Sequence, residues 1–319
     1  MKVEVDDICL YKGTVLKDIY EIKERISKGK LSITYVAYDL IKERKCIVKE
    51  YFPEGLALRD MDGKSVVCKM PSLKERFYNL EDVLFNEGEI LKGFKHKNIS
   101  KYINHFTENS TTYVVTEYYD GKTLDEYLKE NKDISINDFF NKIFIPLINA
   151  ISYIHKKSII HRDIKPSNII INEQGEPIII DFGSAINYKI CKKKNIFITP
   201  GFSPLEFYSE KSKQGRYSDI YSLTATLYYC LCRKVPMDAG KRIIEDNIDN
   251  IKKHNREISL FFSIIIMKNL SVNYKKRFLS LKLIKAFVYL ECIVLKVKHC
   301  AVENKKRLLE IRKIIFAKK

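Results

Sequence analysis

The chain has 319 residues, and its 57 Lys and Arg against 40 Asp and Glu give a formal net charge of +17. Hydrophobic residues make up 45% and there are only 12 Gly and 8 Pro, which excludes a disordered or collagen-like chain. This length suits about two domains. Because 45 of the 57 cations are Lys, we attribute the charge to a lysine bias of the whole sequence and expect no nucleic-acid partner.

Cysteine usage and apolar runs bear on the cellular compartment. The eight Cys form no C-x-x-C pair and no Cys/His set with zinc-ligand spacing, which is typical of reduced thiols and predicts a cytoplasmic protein. The start, MKVEVDDICL, carries acids where a secretory signal needs cations. The longest apolar runs, 259–267 and 286–295, are shorter than the ~20 residues that span a bilayer, so we expect both to be buried helix segments.

The region from Tyr20 to about Tyr119 has the alternating pattern of β-structure. Predicted strands cover 34–37, 46–51, 65–68 and 112–117. One helix interrupts them. Its apolar residues fall on a single stripe and it is expected to end near Gly93; the stripe comprises residues 80, 83, 84, 90, 91 and 94.

Helical periods dominate from Leu124 onwards. Two triple-Ile segments, 169–171 and 178–180, are predicted strands joined by a Gly-containing turn. Asp120-Gly121 is the expected joint between the two regions, because Gly adopts unusual backbone angles without steric cost. A small β-rich part therefore precedes a larger helical part.

The most informative motif is HRDIKPSN at 161–168, followed by the two Ile strands and by DFG at 181–183. A loop between short buried strands can hold Asp163, Asn168 and Asp181 over one point in space. Together with Lys165, three such oxygen-bearing side chains suit Mg²⁺ and a triphosphate, because Mg²⁺ prefers hard oxygen ligands. Asp163 or Asp181 alone would be an ordinary turn or strand-end residue, whereas the spacing of Asp163, Asn168 and Asp181 together indicates a phosphoryl-transfer site.

These motifs resemble the eukaryotic-type Ser/Thr protein kinases over roughly residues 12–285. The resemblance implies an α+β fold with two lobes: a lead-in over 1–16, a β-rich N-lobe with one main helix over 17–120, a mainly helical C-lobe over 121–285 and a basic helical tail over 286–319. It also implies Mg²⁺ and ATP as cofactors and protein substrates phosphorylated on Ser or Thr. KEYFP at 49–53, GTVL at 13–16 and GFSPLE at 201–206 are more similar to bacterial members than to animal ones.

The resemblance assigns a role to each polar residue of the motif. Asp163 is expected to accept the proton of the substrate hydroxyl and Lys165 to steady the γ-phosphate, while Asn168 and Asp181 hold the metal ions. Lys165 and Thr199, which lies in the P+1 loop, favour a Ser/Thr kinase over a Tyr kinase.

A second catalytic pair is predicted from the β-rich part. Alternation in the strand at 46–51 puts Lys49 on the face towards the nucleotide. Glu87 falls on the apolar stripe of the helix, where an unpaired carboxylate would be costly, so it needs a cation and Lys49 is the candidate. The alternative is that Glu87 lies in water at the rim of the stripe.

The glycine-rich loop departs from the family pattern. Ile26, Gly29 and Thr34 occupy nucleotide-binding positions in the resemblance, but Ser27 and Ser32 replace the first and third Gly. Left-handed backbone costs a non-Gly residue about 1 to 2 kcal/mol, so each Ser could weaken ATP binding by around tenfold unless the loop rests at negative φ. The alternative function is therefore a pseudokinase that serves as a binding or scaffold module. A small-molecule kinase of the same fold is a third possibility, which the activation-segment match opposes.

Further positions follow the family pattern. Thr116 is the expected gatekeeper, and the backbone of Glu117 and Tyr118 is expected to meet adenine. Asp219 would hold the backbone of the catalytic loop, although it could equally be an ordinary acid at a helix start. Arg277 is placed to pair with Glu206, or else is a solvated cation.

The activation segment lacks the usual phosphorylation site. Between Asp181 and Thr199 the only hydroxyl residues are Ser184 and Tyr188, and the segment 191–194 is Cys-Lys-Lys-Lys. Activation by phosphorylation requires a phosphate that pairs with an Arg cluster. We therefore expect activity without phosphorylation in this segment.

The C-terminal tail is strongly basic. Residues 281–319 contain 11 Lys and Arg against 3 Glu, a net charge of +8. Leu308, Ile311 and Ile315 follow helical spacing among cations, which predicts a basic amphipathic helix that could bind an anionic membrane surface or a partner protein; the cations are Lys305, Lys306, Arg307, Arg312 and Lys313. The alternative is a terminal helix packed on the large lobe with a solvated lysine face.

Overall fold

The computed structural model describes residues 8–190 and 195–317; in the last helix the side chains at 305, 306 and 311–317 are left out. The chain forms two compact units. The first comprises the described residues up to Gly121 together with Ile180–Ala185, and the second comprises Lys122–Ile179 and the described residues from Ile186 onwards.

An antiparallel six-stranded sheet in the order β1-β2-β3-β4-β8-β7 forms the centre of the first unit. Helix α1 packs on β7 and β8, and β5 pairs with β6 in a separate hairpin. The elements are β1 (Val15–Leu16), β2 (Tyr20–Lys28), β3 (Ser32–Asp39), β4 (Arg44–Tyr51), β5 (Ala57–Arg59), β6 (Val66–Cys68), α1 (Lys74–Lys92), β7 (Tyr102–Glu108) and β8 (Thr111–Glu117).

The four strands predicted in this unit correspond to β3, β4, β6 and β8, although β6 begins one residue later than expected. Strands β1, β2, β5 and β7 were not singled out. In β2 only the first residues alternate, because Tyr20 and Ile22 are buried whereas the residues from Glu24 onwards are exposed. A strand with a solvated half carries no period-two signal there.

Helix α1 begins earlier than the pattern predicted. A short 3₁₀ turn at Pro71–Leu73 leads into it, and the helix ends before Gly93, as expected. The helix extends back because Phe77, only 2% exposed, continues the buried row of Leu84 and Leu91 by about two more turns. The charged residues around Phe77 hid this turn from the sequence pattern.

The second unit is mainly helical. Its small sheets are β12-β11-β9 and β10-β13. The elements are β9 (Gly121–Thr123), α2 (Leu124–Glu130), α3 (Ile136–Asp138), a π-helical segment (Phe139–Phe144), α4 (Ile145–Lys156), β10 (Ile159–Ile160), β11 (Ile169–Asn172), β12 (Pro177–Ile179), β13 (Ile186–Asn187), α5 (Arg216–Cys232), α6 (Leu260–Asn269) and α7 (Leu281–Ala317).

Helix α5 lies at the centre of this unit. Fourteen of its residues are buried, including hydroxyl side chains that bond within the helix: Thr224 and Thr226 donate to the carbonyls of Ile220 and Ser222 at 2.7 and 2.9 Å. A buried hydroxyl needs such a partner. The helix thus carries Asp219 into the interior of the unit, where it can support the neighbouring loop.

The two apolar runs are helix segments, as expected, but each is buried on one face only. In α6, Leu260, Phe261 and Ile264 are more than half exposed, and in α7 so is Ile293. Helix α7 has 37 residues, about 55 Å at 1.5 Å per residue. Among the described residues, no helix is both long enough and apolar enough to cross a membrane.

Candidate active site

Lys49 is the centre of an ion-pair cluster in the first unit. Its Nζ lies 2.8 Å from Oε2 of Glu87 and 2.6 Å from Oδ1 of Asp181. Cross-strand pairing places Thr34 opposite Lys49, with Ser27 opposite Thr34, so the three share one face of the sheet. Glu87 is 3% exposed on α1, which excludes the alternative that it lies in water at the rim.

Burial and neighbouring charges shift the pKa values of Lys49 and Glu87 in opposite directions. Burial alone would lower the pKa of Lys49, but the carboxylates of Asp181 and Glu87 outweigh it and raise that pKa above its ordinary value. Burial raises the pKa of Glu87, and the attraction of Lys49 opposes the rise. The second oxygen of Glu87 accepts the backbone N–H of Phe182 at 3.0 Å. Lys49 is therefore held as a cation.

The turn at 181–183 is built around this cluster. Asp181 has φ of +59°, a conformation that is uncommon for a residue other than Gly and is typical of strained functional sites. A Cβ on Gly183 would lie 3.0 Å from Lys49 Nζ and 3.1 Å from Glu87 Oε2, so a side chain there would crowd the ion pair. The carboxylate of Asp181 is still 42% exposed. An exposed carboxylate oxygen beside a lysine fits a magnesium-bound phosphate.

The second unit holds the other polar cluster, around Asp163. Oδ2 of Asp163 accepts from Lys165 Nζ at 2.8 Å and from Asn168 Nδ2 at 2.9 Å. Oδ1 accepts from the hydroxyl of Thr199 at 2.8 Å. Because the Asn168 amide nitrogen points to Asp163, the amide oxygen is the end that a metal ion could use. The side chain of Asp163 is 18% exposed, so its carboxylate is within reach of a substrate hydroxyl.

Asp219 holds the backbone of the loop that carries Asp163. Its two oxygens accept the N–H groups of His161 at 2.9 Å and Arg162 at 3.0 Å, and His155 Nε2 lies 2.8 Å from Oδ2. Burial would raise the pKa of Asp219, but these hydrogen bonds and the charge of His155 outweigh it and hold that pKa below its usual range. Arg162, at φ of +70°, is kept in a strained conformation by this support.

The glycine-rich loop is a tight hairpin tip. The N–H of Gly29 donates to the carbonyl of Ser32 at 2.8 Å, and Ser27 and Ser32 both belong to strands. Neither Ser is among the residues with positive φ, so the backbone penalty considered for these replacements does not arise. Ile26 is a bulge between the pairs Arg25–Tyr35 and Ser27–Thr34 and is 52% exposed.

The tip of this hairpin is bound to the segment after β4. Phe52 N–H donates to the Leu31 carbonyl at 2.9 Å and Glu54 N–H to the Lys30 carbonyl at 2.8 Å. Glu54 also pairs with Lys28 at 3.4 Å. The FPE segment at 52–54 therefore anchors the loop, a contact that the sequence analysis missed.

The expected hinge begins at the end of β8. Thr116 pairs across the sheet with Ile47, and the N–H of Glu117 donates to the Lys101 carbonyl at 2.9 Å. That N–H is therefore engaged within the first unit. The carboxylate of Glu117 binds Arg44 at 3.0 Å.

The end of the activation segment is fixed by buried contacts of the second unit. Thr199 N–H donates to Ser203 Oγ at 2.9 Å. Glu206 and Arg277 form a two-pronged ion pair, with distances of 2.8 and 3.1 Å, and the side chain of Arg277 is fully buried. Arg277 is therefore not a solvated cation, the alternative that the sequence left open.

A buried charge cluster behind Lys49 was also missed. Glu50 is fully buried and accepts from both Arg59 terminal nitrogens at 2.7 Å and from the hydroxyls of Tyr35 and Tyr113. The signal was present, because Glu50 lies among apolar residues in a strand and must find a partner. Its partner Arg59 comes from β5, which the pattern did not predict.

Comparison with known proteins agrees with this geometry. Residues 55–303 match the model of the family described as protein kinase domain. Serine/threonine-protein kinase PknA of Nostoc sp. is 31% identical over 239 residues, which cover 70% of this chain and 39% of PknA. Sperm motility kinase 2B of Mus musculus is 31% identical over 186 residues, 58% of this chain and 38% of the relative.

A solved structure has the same fold. The chain described as PpkA-294 apo form superposes with a TM-score of 0.75 at 28% identity, covering 88% of this chain and 99% of that one. This chain spans less than half the length of the curated relatives named above. With a family match over most of its length and two polar clusters built from that family's motifs, the chain belongs to the protein kinase domain family, with relatives among bacterial Ser/Thr kinases.

Proposed function

We propose that this chain is a protein kinase that transfers the γ-phosphate of ATP to Ser and Thr hydroxyls of protein substrates, with Mg²⁺ as its metal ion. The observation that carries the proposal is the contact of Lys49 with both Glu87 and Asp181. Protein kinases need the lysine–glutamate pair and the aspartate of the DFG turn in place at the same time. A binding module would have no need of this arrangement.

Each polar residue then has a chemical task. Asp163 accepts the proton of the substrate hydroxyl, and Lys165 and Asn168 keep its carboxylate in position. Lys49 binds the nucleotide phosphates as a permanent cation. Asp181 and Asn168 would hold Mg²⁺, which when bound neutralises the negative charge that develops on the phosphates.

Nucleotide and substrate binding are assigned to three further places. Ile26, Gly29 and Thr34 line the nucleotide, Tyr118 and the carbonyl of Glu117 meet adenine, and Thr199 receives the protein substrate. Inside the second unit, Asp219 supports the loop that carries Asp163, and Glu206 and Arg277 support the end of the activation segment. A cytoplasmic location stays a prediction.

The alternative, a scaffold module without turnover, was suggested by the missing loop glycines. The strand conformation of Ser27 and Ser32 removes the physical basis for that suggestion, because neither residue needs a left-handed backbone. This observation supports catalysis over scaffolding.

The test is phosphoryl transfer from labelled ATP with Mg²⁺ to a peptide library that contains Ser, Thr and Tyr. Asp163→Asn should lower the transfer rate by about 10² to 10⁴-fold, the usual contribution of a positioned base, while ATP still binds with unchanged affinity. Asp133→Asn, at an exposed position of the same unit, is the control and should be fully active. Transfer to Tyr, or an Asp163→Asn variant as active as the parent, would contradict the proposal.

A further inference from the structure

Helices α6 and α7 of the second unit together expose a continuous apolar surface, which we call the α6–α7 patch. On α7, Leu283, Leu290 and Val297 recur every seven residues along one line and are 40, 45 and 64% exposed. On α6, Leu260, Phe261 and Ile264 share the outward face and are 52 to 64% exposed. Large apolar side chains gathered on one surface mark an interaction site, whereas scattered ones do not.

One aromatic contact joins the two helices within the patch, and a second joins α7 to the segment between them. The Phe261 and Phe287 rings are 5.6 Å apart, centroid to centroid, and so are the rings of Phe278 and Phe287. Phe287 lies on the same line of α7 as Leu283 and Leu290. The exposed faces of α6 and α7 are therefore one surface.

The patch lies on the side of α7 that the fold leaves unpaired. The opposite side is buried by Ile284, Val288, Glu291 and Cys292, each at most 6% exposed, and Glu291 accepts hydrogen bonds from Ser259 at the start of α6. From residue 296 onwards every described side chain of α7 is exposed. The alternative of a terminal helix packed on the large lobe thus holds for the first part of α7, whereas most of the predicted amphipathic positions, at 305, 306, 311–313 and 315, lie outside the described side chains.

Cations surround the patch. Lys282 and Lys298 flank the Leu283–Leu290–Val297 line on its two sides, and Arg307 lies further along α7. Lys268 lies at the end of the exposed face of α6. All four side chains are exposed. Glu303 and Glu310 share the face of Arg307, four residues before it and three after it, and all three lie beyond Val297 on α7. The arrangement puts apolar groups in the centre of the patch and Lys282, Lys298 and Lys268 at its rim.

We propose that the α6–α7 patch binds the surface of an anionic lipid bilayer. An apolar face with basic flanks is the arrangement of helices that lie in the membrane interface, where long Lys side chains reach the phosphate groups while apolar side chains enter the acyl boundary. A second copy of this chain fits the charge less well, because residues 281–319 carry a net +8 and pairing along this line would bring two such segments together.

The experiment is co-sedimentation of the full chain with vesicles of phosphatidylcholine alone or mixed with phosphatidylserine. We expect binding only to the mixed vesicles, and weaker binding at 1 M than at 0.1 M salt, where the screening length is about 3 Å instead of about 10 Å. Leu290→Ser with Val297→Ser removes two exposed apolar side chains without changing charge and should weaken binding by about tenfold or more.

Ile244→Ser is the matched control, because Ile244 is 92% exposed in the same unit but outside the patch. It should bind vesicles like the parent chain, and the melting temperatures of all variants should agree. The proposal is overturned if mixed vesicles do not bind the chain, or if the double variant binds as tightly as the parent. It is also overturned if light scattering finds a dimer of the parent that the double variant abolishes, since the patch would then bind a second copy.

Discussion

Asp163 accepts side-chain hydrogen bonds from residues two, five and thirty-six positions further along the chain. The two nearer donors, Lys165 and Asn168, belong to the same motif, so their proximity could be predicted. Thr199 could be placed near the site only by resemblance, and its hydrogen bond to the Asp163 carboxylate was not foreseen. That contact joins Thr199 to the carboxylate of Asp163 within one unit.

The Lys49–Glu87 pair should behave as one functional group. Lys49→Ala and Glu87→Ala should each lower kcat/KM by about a hundredfold, and the double variant should be little worse than either, because each substitution alone already breaks the pair. Lys42→Ala, at an exposed position, is the control. Losses that multiply in the double variant would mean that the two side chains act separately.

Because of Asp219, the free energy of unfolding should decrease as the pH falls into the acid range. Its pKa lies below the unfolded value of about 4, so its charged form stabilises the fold above pH 4 and this contribution is lost as the pH falls through the folded pKa. Asp219→Asn should therefore lower the free energy of unfolding by about 3 kcal/mol at pH 7, and by progressively less below pH 4.

Urea unfolding between pH 7 and pH 3 measures this difference. Asp133→Asn should match the parent at every pH. If the free energy of unfolding of Asp219→Asn stays below that of the parent by the same amount down to pH 3, the charge of Asp219 contributes nothing to stability.

At the scale of elements, the β2–β3 hairpin and the segment after β4 act together. The tip at Lys30 and Leu31 is held by backbone donors of Glu54 and Phe52. The turn that follows has Gly55 at φ of +84° and a hydrogen bond from Leu56 N–H to Pro53, the geometry of a type II turn in which Pro is favoured at the position of Glu54. The anchoring N–H can therefore be removed without straining the backbone.

Glu54→Pro should raise KM for ATP by roughly two- to tenfold with little change in kcat, the equivalent of one hydrogen bond of about 0.5 to 1.5 kcal/mol. Glu54→Ala keeps the N–H and removes only the half-exposed ion pair with Lys28, so it should leave KM unchanged. Hydrogen exchange at Gly29 and Lys30 should accelerate in the Pro variant alone. Equal effects of the two variants would assign the anchor to the side chain of Glu54.

The described part of the activation segment is held by contacts that need no phosphate. Arg162 donates to the Asn195 carbonyl at 2.6 Å and stacks over the ring of Phe207, and Arg216 donates to the hydroxyl of Tyr188 at 2.9 Å. The basic run at 191–194 lies outside the described residues. These two arginines already have partners within the described part of the second unit.

Phosphatase-treated protein should therefore retain its activity, and so should Tyr188→Phe. Mass spectrometry before and after treatment identifies any phosphate that was removed. A loss of activity that coincides with loss of phosphate from Tyr188 or Ser184 would contradict this prediction.

At the scale of the whole molecule, the order of a β-rich part and a helical part was visible in the sequence, because strand and helix periods differ. The division in space was not. Ile180–Ala185 lies far along the chain but packs with the first unit, where Asp181 meets Lys49. Hydrophobic periodicity reflects only residues that are close together in the sequence, so it could not predict that this segment returns to the first unit.

The sequence by itself determined the motif residues and their local spacing: Asp163, Lys165 and Asn168 in one loop, Lys49 on its strand and Glu87 on a buried stripe. It could do so because periodicity and motif spacing act over a few residues. Only the tertiary structure decided the long-range partners, namely Arg59 for Glu50, Thr199 for Asp163, the Glu54 anchor of the loop and the outward face of α7. Those contacts depend on which surfaces the packed core leaves adjacent, and burial of that kind is a property of the whole fold.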